Sequence, residues 1–228
     1  MARKRKNNNK PHERRKRLIA KTENQKHVLR TIKENDVTLC AGPAGTGKTH
    51  LSVGSAVQAL LKEEVEKIVI TRPIVQAGEK IGYLPGTAEQ KLDPYLQPVF
   101  DELRYYLSHS EIAFYKNERR IQVIPLALMR GRNFHQSFII GDEMQNATFD
   151  QIKMLITRMG MNSKLVISGD LDQSDLMKRD RGAFKFCLEK LVNIAKVGIS
   201  YLKGEDIVRN PLIPVILEKL DGRKIHSN

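Results

Sequence analysis

The sequence predicts a single α/β domain in which a mostly parallel sheet is covered by helices on both faces. Six short runs rich in Val and Ile alternate with segments of helical periodicity, and these runs are nearly continuously apolar. Strands buried on both faces of a parallel sheet have this composition. Alternation of such strands with helices is typical of doubly wound folds. A length of 228 residues suits one domain of medium size.

The elements follow one another in order along the chain. A first helix is predicted over residues 22–34, where Val28, Leu29 and Ile32 share one side. Two further helices are predicted over 48–64 and 148–159, the last with a capping box of Thr148 and Gln151. The strands are predicted at 37–40, 68–71, 121–124, 138–140, 165–168 and 197–202. The stretch 72–98 contains seven Gly and Pro residues and is predicted to be a long ordered loop or small insertion.

Positive charge is concentrated at the amino terminus. Residues 1–17 contain nine Lys and Arg against Glu13 alone, which is +8 of the formal net charge of +13. So polar a segment buries too little apolar surface to offset the entropy lost on ordering, and we predict a disordered basic tail over 1–21. A domain is predicted over 22–222, followed by a short tail over 223–228. The basic tail would serve either as a sequence-independent anchor on nucleic-acid phosphates or as a solubilising arm.

Composition also bears on the compartment. No apolar run approaches the roughly 20 residues needed to span a bilayer, and the amino terminus lacks the apolar core of a signal peptide. We therefore expect a cytoplasmic protein. Cys40 and Cys187 both stand among apolar neighbours and are expected to be buried and reduced, with a disulfide between them as the alternative.

A phosphate-binding motif follows the first strand. It consists of Gly42, Pro43, Ala44, Gly45, Thr46, Gly47, Lys48 and Thr49, and it matches the Walker A pattern between a predicted strand and a predicted helix. The glycines let backbone N–H groups point at phosphate oxygens, and the helix presents its positive end to them. Lys48 would reach the β- and γ-phosphates of ATP, and the Thr49 hydroxyl would bind Mg²⁺. We include His50, the next residue, among the nucleotide contacts.

Two carboxylates end the apolar run at 138–140. In a Walker B arrangement Asp142 would hold the Mg²⁺ shell, and Glu143 would act as the base that activates the attacking water. The alternative for Glu143 is a carboxylate that faces solvent at the start of a helix.

Two further segments resemble motifs of superfamily 1 helicases. The first is Gly-Asp-x-x-Gln at 169–173, where the Asp170 carboxylate and the Gln173 amide would sense the γ-phosphate or position water; a simple turn is the alternative. The second is Gln25, upstream of Walker A, whose amide would read adenine unless it is merely an exposed helical side chain.

Arginines supply the remaining candidates. Arg209 would stabilise charge in the transition state, with Arg179 and Arg181 as rivals and a surface ion pair as the alternative. Candidate contacts to nucleic-acid phosphate are Arg72, Arg130 and Arg132, which could equally form structural ion pairs. Aromatic residues are only 6% of the chain and Trp is absent, which weighs against base stacking as a main source of affinity.

Taken together, these segments resemble the PhoH family of ATPases over about residues 22–222. The matching segments are 42–49, 71–73, 78–93, 125–132, 142–146, 169–173 and 208–212. Departures from the family pattern occur at Gly141 and Met144, where family members usually have Ala and a small residue, and at Asn210, where His is common. The resemblance implies a RecA-like ATPase core that acts on RNA and assembles as a ring of identical subunits. Some members carry a fused PIN-type ribonuclease domain, for which we expect no room here.

These observations leave several functions open. The leading hypothesis is an ATPase, with a possible helicase activity, on RNA or single-stranded nucleic acid. Superfamily 1 helicases enclose ATP between two lobes, and this chain is predicted to have one. A neighbouring subunit would then supply the missing side of the ATP site, with its Arg209 facing Lys48. Repeated contacts of this kind would close into a hexameric ring. One alternative is an ATP-dependent switch or adaptor that regulates a nuclease without unwinding. The other is a small-molecule kinase of the P-loop class.

Overall fold

The computed structural model describes residues 16–74, 88–176 and 182–208, with the isolated positions 212, 216 and 219. Within these ranges the helices are α1 (Glu23–Glu34), α2 (Lys48–Leu61), α3 (Ala88–Tyr106), α4 (His109–Asn117), α5 (Phe149–Ile156) and α6 (Ala183–Lys190). The strands are β1 (Val37–Ala41), β2 (Lys67–Thr71), β3 (Ile121–Val123), β4 (Ser137–Gly141), β5 (Lys164–Gly169) and β6 (Val197–Tyr201). Each predicted strand is present, with bounds that differ by one residue or less.

The strands form one parallel sheet in the order β3-β2-β4-β5-β1-β6. Because β5 lies between β1 and β4, the register aligns Ala41 with Gly169 and Gly141 with Ile167. On the other side of β4, Thr71 aligns with Gly141. The carboxyl ends of β1, β2, β4 and β5 therefore meet at one edge of the sheet, and the residue that follows each strand lies there.

Helices cover both faces of the sheet. In β1, Cys40 packs with the apolar side of α1 and α2, whereas Leu39 and Ala41 pack with residues of α5 and α6. This alternation buries nearly every residue of the central strands, which explains their continuous apolar runs. The predicted α/β architecture, a parallel sheet covered by helices on both faces, is confirmed.

Local sequence signals set the ends of several helices. The Thr22 side chain caps α1 by accepting a hydrogen bond from the backbone N–H of Gln25. Thr148 with Gln151 forms the expected capping box of α5. The α4 helix, which the sequence did not predict, begins with a second capping box, of Ser108 and Glu111. None of the helices in the described ranges is both long and apolar enough to cross a bilayer.

The predicted loop over 72–98 is wrong in its last part. Residues 75–87 lie outside the described residues, but Ala88 begins α3, which continues through Pro94 and Pro98. A proline in a helix interior costs about 3 kcal/mol or more. Val99 and Leu103 are fully buried, and burial of each such side chain stabilises by about 1.5–3 kcal/mol. Packing against α2 therefore outweighs the local preference of the two prolines.

The amino-terminal boundary and the cysteines also need correction. Residues 16–21 were assigned to the tail, yet Leu18 packs on the core and Lys16 Nζ lies 4.4 Å from the centre of the Tyr105 ring. Residues 1–15 and 223–228 lie outside the described residues. Cys40 and Cys187 are free thiols in the two different core clusters, so the alternative of a disulfide is wrong. Burial raises the pKa of the Cys40 thiol to about 12.

Candidate nucleotide site

The loop at 42–47 leaves the sheet edge in a conformation that needs its glycines. The Gly42 N–H donates to the Gly169 carbonyl oxygen at 3.1 Å, which ties the loop to β5. A Cβ at position 42 would lie 2.7 Å from Leu202 Cβ and 2.8 Å from its carbonyl oxygen, so no larger residue fits. Gly45 and Gly47 have φ of 85° and 88°, a left-handed conformation that favours glycine.

Lys48 places its ammonium inside this loop. The side chain is buried, and Nζ donates to the carbonyl oxygens of Gly42 at 2.6 Å and Pro43 at 2.9 Å. Thr46 Oγ1 also donates to the Pro43 oxygen, at 2.8 Å. A cation, the amino end of α2 and loop N–H groups together provide the donors that a polyphosphate requires.

Asp142 lies beside the start of α2. Its carboxylate accepts from Thr49 Oγ1 at 3.1 Å and from Ser168 Oγ at 2.9 Å, and it is 1% exposed. Burial raises its pKa, and the Arg72 guanidinium opposes that rise. The adjacent hydroxyl and carboxylate are oxygen ligands of the kind that Mg²⁺ takes, and a divalent ion would offset the cost of the buried charge. Thr49 and Asp142 therefore fit the predicted metal role.

Glu143 is held in an unusual conformation. Its φ of 55° and ψ of 37° are left-handed, which costs a residue with a side chain of the order of 1 kcal/mol. Its Oε1 lies 3.1 Å from an Arg72 terminal nitrogen, and its Oε2 accepts from Gln145 Nε2 at 2.7 Å. Glu143 does stand at the start of a short 3-10 helix with its side chain partly exposed, as the alternative expects, but both carboxylate oxygens also have partners in the site.

Of the two polar residues predicted in the third motif, Asp170 contacts the loop. Asp170 Oδ2 accepts from the Ala44 N–H at 3.0 Å, and the Asp170 N–H donates to Gln145 Oε1 at 3.0 Å. The side chain of Gln173 is exposed. A continuous chain of contacts thus runs from Arg72 through Glu143, Gln145 and Asp170 to the loop.

Comparison with known proteins shows the family of the chain. The model of PhoH-like proteins matches residues 17–221. The chain belongs to the PhoH family. The PhoH-like protein of Synechocystis sp. is 43% identical over 199 residues, 87% of this chain and 61% of the relative. That of Bacillus subtilis is 41% identical over 206 residues, 90% of this chain and 65% of the relative. The chain spans about six-tenths of the length of these curated relatives.

Among solved structures, the large terminase from a thermophilic bacteriophage is similar. It aligns with 87% of this chain and 50% of its own, at a TM-score of 0.54 and 11% identity. Similarity at that identity concerns the fold alone.

Gly141 and Met144 pack against each other behind Asp142. A Cβ at Gly141 would lie 3.2 Å from Met144 Cγ and 2.6 Å from Leu155 Cδ2. The glycine therefore leaves room for the large Met144 side chain, which is fully buried.

Gln25 contacts the loop in a way that the sequence did not predict. It is 4% exposed, its Nε2 donates to the Thr46 carbonyl oxygen at 3.0 Å, and its Oε1 accepts from the Lys21 N–H at 2.7 Å. In this conformation each end of the amide makes one hydrogen bond, and the side chain supports the loop. Contact with adenine stays a prediction for Gln25. The alternative of an exposed glutamine is wrong.

The side chain of His50 faces α3, away from the loop. Its Nδ1 lies 3.0 Å from Glu102 Oε2, and its Nε2 lies 2.9 Å from the Tyr106 hydroxyl. The expected nucleotide contact is therefore not available to the imidazole. The backbone N–H of His50 remains a donor in the first turn of α2, where N–H groups lack helical partners.

Of the three arginines predicted to contact nucleic acid, only Arg72 lies at the site. Arg130 is exposed, and Arg132 donates to Gln122 Oε1 at 2.6 Å beside the edge strand β3. Arg209, Arg179 and Arg181 lie outside the described residues. Val208, the residue before Arg209, donates its N–H to the Gly45 oxygen of the same chain at 3.3 Å.

Ser168 and Gln145 are residues of the site that the sequence did not predict. Ser168 is the penultimate residue of β5, and Gln145 lies four residues after the end of β4. The usable signal was the position of a polar residue at the carboxyl end of a buried strand.

Proposed function

We propose that this PhoH-family chain binds ATP with Mg²⁺ and hydrolyses the γ-phosphate bond, with Glu143 as the base. The observation that carries the proposal is the position of Glu143 beside the Asp142–Thr49 pair, at the sheet edge where Lys48 enters the loop. Lys48 would bind the β- and γ-phosphates, and Thr49 with Asp142 would hold Mg²⁺. When bound, the ion neutralises charge on the phosphate oxygens.

Glu143 then has a specific task. Its carboxylate accepts a proton from the water that attacks the γ-phosphate, a contribution of typically 10²–10⁴-fold to the rate. Water as the acceptor also separates this proposal from the small-molecule kinase, which would pass the phosphate to a metabolite.

Release of inorganic phosphate from ATP tests this proposal. The wild type should release phosphate with ATP as the only substrate, and Glu143→Gln should lower kcat at least about 100-fold with little change in ATP affinity. Glu189→Gln, which removes an exposed carboxylate on α6, is the matched control and should keep the wild-type rate. A Glu143→Gln protein with wild-type kcat would contradict the role of Glu143.

The second part of the proposal is that the chain acts on RNA or single-stranded nucleic acid. It is supported by the net charge of +13, by the basic segment 1–17 and by Arg72 at the edge of the site. Single-stranded RNA should stimulate hydrolysis at low salt, and the stimulation should fall as salt rises. The same measurement with single-stranded DNA decides the natural polymer. Absence of stimulation by either polymer at low salt would contradict this part.

A helicase and an ATP-dependent switch remain distinguishable proposals at the same site. A helicase should displace a strand from a duplex only with ATP and an intact Glu143. A switch that regulates a nuclease should hydrolyse ATP and displace nothing. We also propose that the protein is cytoplasmic.

We also propose a ring of identical subunits, a hexamer in its simplest form, with Arg209 completing the site of a neighbour. Mixing Arg209→Ala with Lys48→Ala tests it, because mixed rings contain intact composite sites. Recovery of hydrolysis supports action between subunits. Absence of recovery would favour action within one chain, which the Val208–Gly45 hydrogen bond also allows.

A further inference from the structure

Arg72 bridges the two acidic residues at the end of β4. Its Nε lies 3.5 Å from Asp142 Oδ2, and a terminal nitrogen lies 3.1 Å from Glu143 Oε1. The arginine comes directly after β2, which pairs with β4 in the sheet. Sheet register therefore places a cation against the base of the proposed reaction.

This ion pair occupies the oxygens that catalysis would use. Glu143 Oε1 faces Arg72, and Oε2 accepts from Gln145. Each carboxylate oxygen therefore has one partner in this arrangement, and the two contacts hold the carboxylate in place.

The backbone around Arg72 is fixed, but its side chain reaches the surface. The Asp142 N–H donates to the Thr71 oxygen at 2.9 Å, and the Leu126 N–H donates to the Arg72 oxygen at 3.2 Å. The Arg72 side chain is 17% exposed, at the carboxyl edge of the sheet. The main chain is thus held by hydrogen bonds, and the side chain is partly exposed at this edge.

We propose that Arg72 is a positioning residue that restrains Glu143 until a phosphate of a nucleic acid competes for the guanidinium. The inference rests on the proposed function. A guanidinium fork binds a phosphodiester as well as a carboxylate, so the polymer replaces Glu143 as the partner of Arg72. Glu143 is then free to accept the proton of water. Stimulation of hydrolysis by nucleic acid follows from this exchange.

Hydrolysis by Arg72→Ala is the first test. Without nucleic acid its kcat should rise about tenfold over the wild type, the effect expected for loss of one charge-assisted hydrogen bond, and stimulation by single-stranded RNA should fall below about twofold. Arg104→Ala is the matched control, since it removes an arginine and a surface ion pair with Asp101 on α3. It should behave as the wild type. A basal kcat that stays at or falls below the wild-type value would overturn the proposal.

Arg72→Lys protects the test against misfolding, because it keeps a positive charge beside the buried Asp142. A single ammonium cannot hold both carboxylates as the fork does, so its basal kcat should exceed that of the wild type. A Lys variant with wild-type basal rate and wild-type stimulation would contradict the restraint.

A binding measurement separates this inference from the proposed function. Because coupling between sites is reciprocal, release of Arg72 from Glu143 should strengthen binding of nucleic acid. With no nucleotide present, Glu143→Gln should bind single-stranded RNA about tenfold more tightly than the wild type, and Glu189→Gln should not. If Glu143→Gln abolishes hydrolysis but leaves RNA affinity unchanged, the ATPase stands and the restraint by Arg72 is wrong.

Discussion

Replacing Gln25 with leucine tests how the loop is supported. The change keeps the side-chain volume close to that of glutamine and removes the hydrogen bonds to the Thr46 oxygen and the Lys21 N–H. Gln25 is 4% exposed and Thr46 is buried, so the Thr46 oxygen loses its partner with little access to water, whereas Lys21 lies in an exposed position. A lost hydrogen bond of this kind costs about 1–3 kcal/mol, and we expect a loss of about 2 kcal/mol in the free energy of unfolding. A domain of ordinary stability remains folded after such a loss.

The nucleotide specificity of the variant distinguishes loop support from adenine recognition. If about 1.4 kcal/mol of the cost falls on the loop conformation that binds phosphate, Kd should rise about tenfold for ATP and by the same factor for GTP. Titration of both nucleotides with Mg²⁺ measures this, with urea unfolding for stability. Gln58→Leu, an exposed glutamine on α2, is the control and should change neither quantity. A Kd that rises for ATP alone would refute the support role and favour adenine reading.

Three further predictions follow from contacts at the same site. Gly42→Ala should abolish ATP binding and lower the melting temperature, since its Cβ would meet Leu202 at 2.7 Å; Gly204→Ala, with open space around it, should not. Asp142→Asn should lose Mg²⁺-dependent ATP binding yet keep the metal-free protein at least as stable at pH 7. Burial raises the pKa of Asp142, so the free energy of unfolding of the metal-free protein should fall as pH rises above the unfolded-state pKa of this group. Melting temperatures measured over a pH series check this. Desolvation raises the pKa of Asp206, but its hydrogen bonds lower it by more, so the net shift is downward. The wild type should therefore be more stable than Asp206→Asn at neutral pH, and it should lose that advantage below about pH 4.

The strands could be predicted because each carries a signal that its own residues contain. Runs such as 138–140 are apolar throughout, and burial on both faces requires this composition. The helix α3 could not be predicted in the same way. Its prolines at 94 and 98 argue locally for a loop, and the packing of Val99 and Leu103 that outweighs them depends on the distant α2.

The residues of the candidate site likewise fall into those that a local sequence signal predicts and those that depend on distant packing. Lys48, Thr49, Asp142 and Glu143 could be found because each belongs to a motif that is contiguous in sequence with a strand. The pairing of Arg72 with Glu143 could not, because it depends on β2 lying next to β4 in the sheet. The contact of Gln25 with the loop depends in the same way on how α1 packs.

Single-turnover hydrolysis of pre-bound ATP tests the central claim most directly, because it separates chemistry from binding and product release. We expect the wild type to convert bound ATP to ADP and phosphate, and Glu143→Gln to bind ATP with similar affinity and convert it at least about 100-fold more slowly. Conversion by Glu143→Gln at the wild-type rate, or a wild type that binds ATP and converts none of it, would contradict the account.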